Sequence, residues 1–454
     1  MQTGAGVALK ANDDGIAQRC ARSSTRKAGG MSHQLSVFCT SPGSSIRHDW
    51  AVTQPAHLTA PAHSPFRKHW GLAPRLVFLN HGSFGACPKP ILQLQESLRK
   101  EMEASPVQFL WRHYDSRLQP ARVALASFVG ANPRDLVFVT NATTAVNAVV
   151  RSWQLRRHDE ILTTSLDYNA CRNILTENAR VAGAKVVVAQ VPFPIRSPDD
   201  ALATVLGAVT RRTRYAMIDH VTSSSALVLP IARIVRALTA HGIETLVDGA
   251  HAPGMLPLNL NKLRPAWYCG NLHKWVCAPK GCAFLWARGD RQDLLQPAVI
   301  SHGNNSPRTG FSSFQDRFDW AGTFDPSAWL CIAESIRWLA GLLPGGWSAV
   351  RRHNHQLTVE ARRILCRALE VDAPCPVSML GSMATVPLPP RFQSVRFPGK
   401  VAPEQARLFD EHRIEVPFVS IGTLRCCRIS AHLHNHPGEY AFLGDAIKSL
   451  ADPQ

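Results

Sequence analysis

Acidic residues are scarce in this chain: 33 Asp and Glu stand against 50 Lys and Arg, a formal charge of +17. The cations are scattered rather than clustered, so the excess does not describe a nucleic-acid surface. An anionic substrate or cofactor is a simpler use for part of it. Long apolar runs are missing too. None approaches the roughly 18 residues that mark a bilayer span, so no membrane segment is expected. No basic stretch leads into an apolar one near the start, which argues against a secretory signal and for a cytoplasmic protein. The twelve cysteines contain no CxxC, which points to scattered reduced thiols rather than a zinc or disulfide framework. Neither GxGxxG nor GxxxxGK[ST] occurs, against a dinucleotide or nucleoside triphosphate site.

At 454 residues the chain is long enough for one large domain and a smaller one. Residues 1–66 are rich in Ser, Ala, Gly, Pro and His without sustained periodicity and read as a disordered extension. Residues 67–330 alternate short apolar runs with helical periods: strands near 135–140, 160–165, 185–191, 215–221 and 245–248, with helices between them. This is the pattern of a mainly parallel sheet covered on both faces. Residues 67–115 partly join the smaller unit, and Gly281–Ala287 reads as a hairpin partner strand. Residues 299–325 read as a long irregular segment. Residues 331–454 form an α+β unit with strands at 383–388, 414–419 and 425–429. His432, His434 and His436 alternate, and His353 and His355 flank Asn354. Neither group has an acid or cysteine at metal-site spacing, so they are read as solvated or packing side chains.

In parallel sheets the ligand lies beyond the carboxyl ends of the strands. Asn141, Tyr168, Thr222, Asp248 and Lys274 all fall at such ends. The stretch Asn141-Ala142-Thr143-Thr144 follows a strand and opens a helix, which suits a small phosphate monoester held by free N–H groups. An ordinary capped helix is the alternative. The glycine-rich loop Asn80-His81-Gly82-Ser83-Phe84-Gly85 follows another short strand and exposes backbone donors. Asp248 and Lys274 close two consecutive strands. A buried lysine can attack an aldehyde, an acid beneath a pyridine ring can keep its nitrogen protonated, and an aromatic side chain such as Tyr168 can stack on the ring.

These motifs, with Asp248-Gly249-Ala250-His251-Ala252-Pro253-Gly254 and Asn271-Leu272-His273-Lys274, resemble the class V group of fold-type-I pyridoxal-phosphate enzymes. The likeness spans about residues 70–450 and leans toward the isopenicillin N epimerase-like branch. It implies a seven-stranded, mainly parallel sheet in a three-layer large domain, and pyridoxal 5'-phosphate as cofactor. Lys274 would hold the cofactor as an aldimine and shuttle protons. Asp248 would pair with the ring nitrogen, and His251 would lie near the phenolic oxygen. Ala142, Thr143, Asn271 and His273 would serve the phosphate, with Tyr168 and Thr222 as further cofactor contacts. Thr323 would reach the phosphate of a partner subunit, which implies a homodimer with shared sites. Asn80 and Arg428 would bind an amino-acid substrate, Arg428 through its carboxylate.

Desulfurases of this group carry a cysteine on a loop before that arginine. Arg413 to Phe418 contains none, so persulfide formation is not expected. Removal of the α-proton leaves epimerisation, β-elimination and transamination open. Epimerisation is the favoured expectation, followed by a carbon–sulfur lyase and then an aminotransferase. A non-catalytic protein that kept the fold is the rival of another class.

Overall fold

A computed structural model describes residues 60–394 and 401–450. Most of the expected N-terminal extension therefore lies outside the described residues. The described chain starts ahead of Phe66. Ser64 caps a short 3-10 turn at Pro65–His69 and donates its hydroxyl to the Leu433 carbonyl.

Twelve strands follow: β1 (Val77–Phe78), β2 (Leu136–Val139), β3 (Glu160–Thr164), β4 (Lys185–Ala189), β5 (Thr213–Asp219), β6 (Glu244–Asp248), β7 (Trp267–Asn271), β8 (Ala283–Ala287), β9 (Met383–Pro387), β10 (Ile414–Glu415), β11 (Phe418–Ile421) and β12 (Leu424–Ser430). Seven of them form one sheet in the order β2-β8-β7-β6-β5-β3-β4. Strands β3 to β7 run parallel, while β8 is antiparallel to both neighbours, as the hairpin reading required.

Alternate residues of each strand enter two separate cores. Phe138, Leu162, Ile218, Val247, Tyr268 and Phe284 face one side. Val137, Ile161, Met217, Leu246, Cys269 and Leu285 face the other, against the helices Ala142–Ser152 and Asn169–Ala182. Both faces are covered, which is why these strands are continuously apolar rather than alternating. Each fully buried Leu, Ile or Phe removed from water in this way contributes about 1.5–3 kcal/mol.

The second unit is an antiparallel sheet, β11-β12-β9, packed by helices Gly346–Leu369 and Pro437–Ser449. Strand β1 pairs in parallel with β10, and the next residue's carbonyl, Leu79, accepts the Ser430 N–H at 2.8 Å. The glycine-rich loop is thereby laid beside β12. Gly85 (φ 69°) lies so close to the Lys274 loop that a Cβ would fall 2.0 Å from the His273 carbonyl oxygen.

Two expectations need correcting. The single strand at 414–419 is two, β10 and β11, because Pro417 between them has no N–H to continue a ladder. The segment 299–325 is not irregular throughout. It holds a 3-10 turn at His302–Asn304 and a helix at Ser313–Asp319, closed by a capping box between Ser312 and Gln315. Polar composition hid the helix, whose Phe314 and Phe318 are buried.

Of the solvated and packing alternatives, His432 and His434 take the packing one. Both are fully buried. The His432 ring stacks on His81 with centroids 4.4 Å apart, and its Nε2 lies 3.5 Å from Cys277 Sγ. His81 Nε2 faces the Lys274 carbonyl at 3.0 Å, so that nitrogen carries a proton and offers no lone pair. His436 caps the final helix.

The segment 299–325 is latched by a buried ion pair. Arg122 donates to Asp319 at 2.8 Å and to the Leu136 carbonyl, and Arg308 also reaches Asp319 at 2.8 Å. Removing one partner of such a cluster leaves charge without compensation. Arg122→Ala should cost about 3 kcal/mol, measured as a lower urea midpoint with an unchanged slope.

Candidate active site

The carboxyl ends of β2, β3, β5, β6 and β7 border one cavity of ≈ 400 Å³. Asp248 closes β6. Its Oδ1 accepts the Ala250 N–H at 2.9 Å, and the Cys171 thiol lies 3.4 Å from Oδ2. Three residues beyond β7, Lys274 points its Nζ to His251 Nε2 at 3.0 Å. Burial, and next the positive charge of Arg428, push the Lys274 amine down to about 7, against the opposing pull of Asp248 and Asp219. Burial likewise holds His251 well below the usual imidazole range, with the Lys274 charge adding to it. His251 is therefore neutral at pH 7, and its Nδ1 is buried without a partner.

The other end of the cavity is the start of the helix Ala142–Ser152. Asn141 caps it by accepting the Thr144 N–H at 2.8 Å. The Ala142 N–H goes to Asn271 Oδ1 at 2.9 Å. The Thr143 N–H, between them, is left for an anion at the positive end of the helix dipole. His273 borders the same space. Its Nδ1 lies 3.2 Å from the Cys282 carbonyl, and burial pushes it down to about 4. With its one N–H given to that carbonyl, the neutral ring has no second N–H to offer a phosphate.

The third wall comes from the smaller unit. Arg428 of β12 donates to the Ser223 carbonyl and to Ser83 Oγ, both at 2.7 Å, and to Asn80 Oδ1 at 3.3 Å. Its Nε is buried without a partner, and burial lowers the guanidinium to about 10, still charged at neutral pH. Asn80 is held in turn by Glu415 at 3.1 Å. Tyr168 lines the cavity with its side chain half exposed.

Two sequence candidates stand elsewhere. Thr222 is fully buried and turns the chain, bonding Ser225 Oγ at 2.6 Å and accepting the Leu227 N–H at 2.8 Å. Its neighbours Val221 and Ser223 line the cavity instead. Thr323 is exposed and outside the cavity of its own chain. Sequence reasoning passed over Asp219, Ser83 and Ser223. Asp219 closes β5 as Asp248 closes β6, so the same signal was available. No cysteine lines the cavity among the described residues, and Cys426 and Cys427 are buried in β12.

An amine kept near neutrality, an acid at the next strand end and an anion site at a helix start form one constellation. Residues 88–387 match the aminotransferase class-V family. The chain belongs to that family. It is 33% identical over 408 residues to an isopenicillin N epimerase from Amycolatopsis lactamdurans, covering 87% of this chain and 100% of that one. It is 30% identical to a probable chloroplastic L-cysteine desulfhydrase from Arabidopsis thaliana, covering 83% of each. The fold matches the cystine C–S lyase C-DES in complex with cysteine persulfide (TM-score 0.68, 20% identity, 83% and 98% covered). It also matches a cysteine desulfurase from Thermococcus onnurineus NA1 (TM-score 0.69, 19% identity, 86% and 99% covered).

The architecture is thus fold-type I, and the cofactor is pyridoxal 5'-phosphate. The residues fit that group. Three buried polar atoms on the described residues of the cavity wall, Asp219 Oδ1, His251 Nδ1 and Arg428 Nε, have no protein partner. Lys274, Asp248 and the Thr143 N–H would hold its aldehyde, ring nitrogen and phosphate. Below pH 7 the Lys274 amine is protonated and cannot attack an aldehyde; above it the amine is free. Uptake of pyridoxal phosphate by the cofactor-free protein should therefore speed up with a midpoint near pH 7, followed by the visible band that borohydride bleaches. A midpoint near 10 would show that burial does not act on this lysine, and Lys274→Ala should give no borohydride-fixed adduct.

Proposed function

We propose that the protein is a pyridoxal-phosphate-dependent carbon–sulfur lyase that eliminates the β-substituent of a cysteine-like amino acid. The observation that carries the reading is the distribution of proton-transfer groups. Among the described residues lining the cavity, Lys274 is the one base brought near neutrality at physiological pH. Asp248 and Asp219 stand at the strand ends where the ring nitrogen would sit. His251 is engaged with Lys274, His273 with a carbonyl, and Arg428 is the carboxylate clamp. Elimination needs one base that takes a proton from Cα and returns one to the departing sulfur. Lys274 suffices for both transfers.

The bound cofactor would supply the electron sink for the Cα–H bond pair. Arg428, held by Ser83, Asn80 and the Ser223 carbonyl, would fix the substrate carboxylate and so orient Cα–H toward Lys274 Nζ. His251, kept neutral, would hold Lys274 in place without adding charge. For L-cysteine the balance is cysteine plus water giving pyruvate, ammonia and hydrogen sulfide. The likeness to L-cysteine desulfhydrases supports the reading.

A second reading is epimerisation, favoured by the two isopenicillin N epimerases at 33% and 34% identity. It needs a proton donor on the face opposite Lys274. Among the described residues lining the cavity, Tyr168 is the ionisable side chain left for that role. Either reaction is read as that of a homodimer. Phe84 and Tyr168, exposed at the cavity, and Thr323 outside it are the surfaces a second copy would cover.

Incubation with L-cysteine and related amino acids in deuterated water separates the readings. Pyruvate and sulfide in equal amounts, unaffected by Tyr168→Phe, are expected. A deuterated D-isomer without keto acid, lost in Tyr168→Phe, would replace the lyase reading with the epimerase one. Arg428→Gln should lower kcat/KM about 100-fold, the equivalent of about 3 kcal/mol for one charged pair.

A further inference from the structure

Asp219 is the buried ionisable group of the cavity for which neither reaction has a use. It closes β5, and it is the direct register partner of Asp248 across the parallel β5–β6 pair. Register partners on neighbouring strands point to the same face. Both carboxyls border the cavity, at 3% and 4% exposure.

Their surroundings differ sharply. Asp248 is served by the Ala250 N–H and the Cys171 thiol. No donor reaches Asp219 within the described residues, and its Oδ1 is buried without a partner. The charged groups that face it come from four other elements. Asp248 ends β6, Asp167 follows β3, Arg172 belongs to the helix Asn169–Ala182, and Lys274 follows β7. Arg172 is already bidentate to Asp167, at 2.7 and 2.8 Å. On its own strand end, His220 is held neutral by burial, at about 4, and meets the Tyr268 hydroxyl at 2.9 Å. A bare carboxylate there would lack hydrogen bonds and face another carboxylate, which is costly in a low dielectric; a neutral acid escapes both penalties.

We propose that Asp219 is a positioning acid, standing as a neutral carboxylic acid beside Asp248 and limiting the ring-nitrogen end of the cofactor site to a single negative charge. Burial and then the Asp248 charge press its carboxyl upward, in agreement with that geometry. One negative charge answers one protonated ring nitrogen. A second would draw a proton onto Lys274 and keep its amine from reacting, since both carboxylates oppose the forces that free it. The pair is thus a charge regulator for the lysine and the ring together. It rests on the cofactor site alone and is independent of whether the reaction is elimination or epimerisation.

Infrared difference spectra of the cofactor-free protein, with and without aspartate carrying a heavy-carbon side chain, read the protonation state directly. Wild type at pH 7 should show a protonated-acid carbonyl band that disappears in Asp219→Asn. Absence of that band from wild type, or its survival in Asp219→Asn, would overturn the proposal. A second readout is the pH midpoint of the visible band in the loaded protein. Asp219→Asn replaces a neutral group by a neutral isostere and should move it by less than about half a unit. Asp248→Asn removes a charge and should lower it by about one unit or more. An equal fall in both variants would mean that Asp219 carries a charge, and would also overturn the proposal. If either variant fails to take up cofactor, the infrared comparison on the unloaded protein still decides.

Discussion

Keeping one amine out of water is the constraint on which the rest of the site depends. A lysine in solvent holds its proton until far above neutral pH. At the floor of this cavity Lys274 is desolvated and stands in the field of Arg428, and both effects favour the free amine. Asp248 opposes them. The outcome near neutrality is a balance among groups fixed by different strands, and the sheet is what fixes them. Strands β5, β6 and β7 run parallel and in register, so their carboxyl ends present Asp219, Asp248 and the Lys274 loop side by side.

The histidines show the same logic in another form. His81, His251, His273, His432 and His434 are all held below the ordinary imidazole range by burial. Five neutral rings around a reactive lysine supply donors, acceptors and flat packing surfaces without adding cations. Had they been charged, the Lys274 amine would be pushed lower still.

Much of this was legible in the chain before any coordinates. The strand–helix alternation follows from apolar periods, and both-face burial explains why the runs are continuous. Asp248 and Lys274 stood out because each closes an apolar run. Where the reading failed, the reason is geometric. At Thr222 the chain has left β5 and turned, so its hydroxyl is consumed within the 222–227 turn. Asp219 carries the same signature as Asp248, yet an acid at a strand end says nothing about whether donors will meet it. The Cys171–Asp248 and Cys277–His432 contacts join residues 77 and 155 positions apart, beyond any local pattern. The helix at Ser313–Asp319 was masked by polar neighbours, and the break between β10 and β11 was announced by Pro417 and overlooked.

The pairing of β1 with β10 has a temporal meaning. The glycine-rich loop is synthesised more than 300 residues ahead of the strand that aligns it, Ile414–Glu415, and of the guanidinium it braces, Arg428. The large sheet can gather its cofactor residues well before then, since Asn141 to Lys274 lie within it or at its edge. A chain still on the ribosome can therefore hold Lys274 beyond β7 while the Arg428 side of the cavity is still missing. By topology alone, the Arg428 wall of the cavity is completed after the wall that carries Asp248 and Lys274.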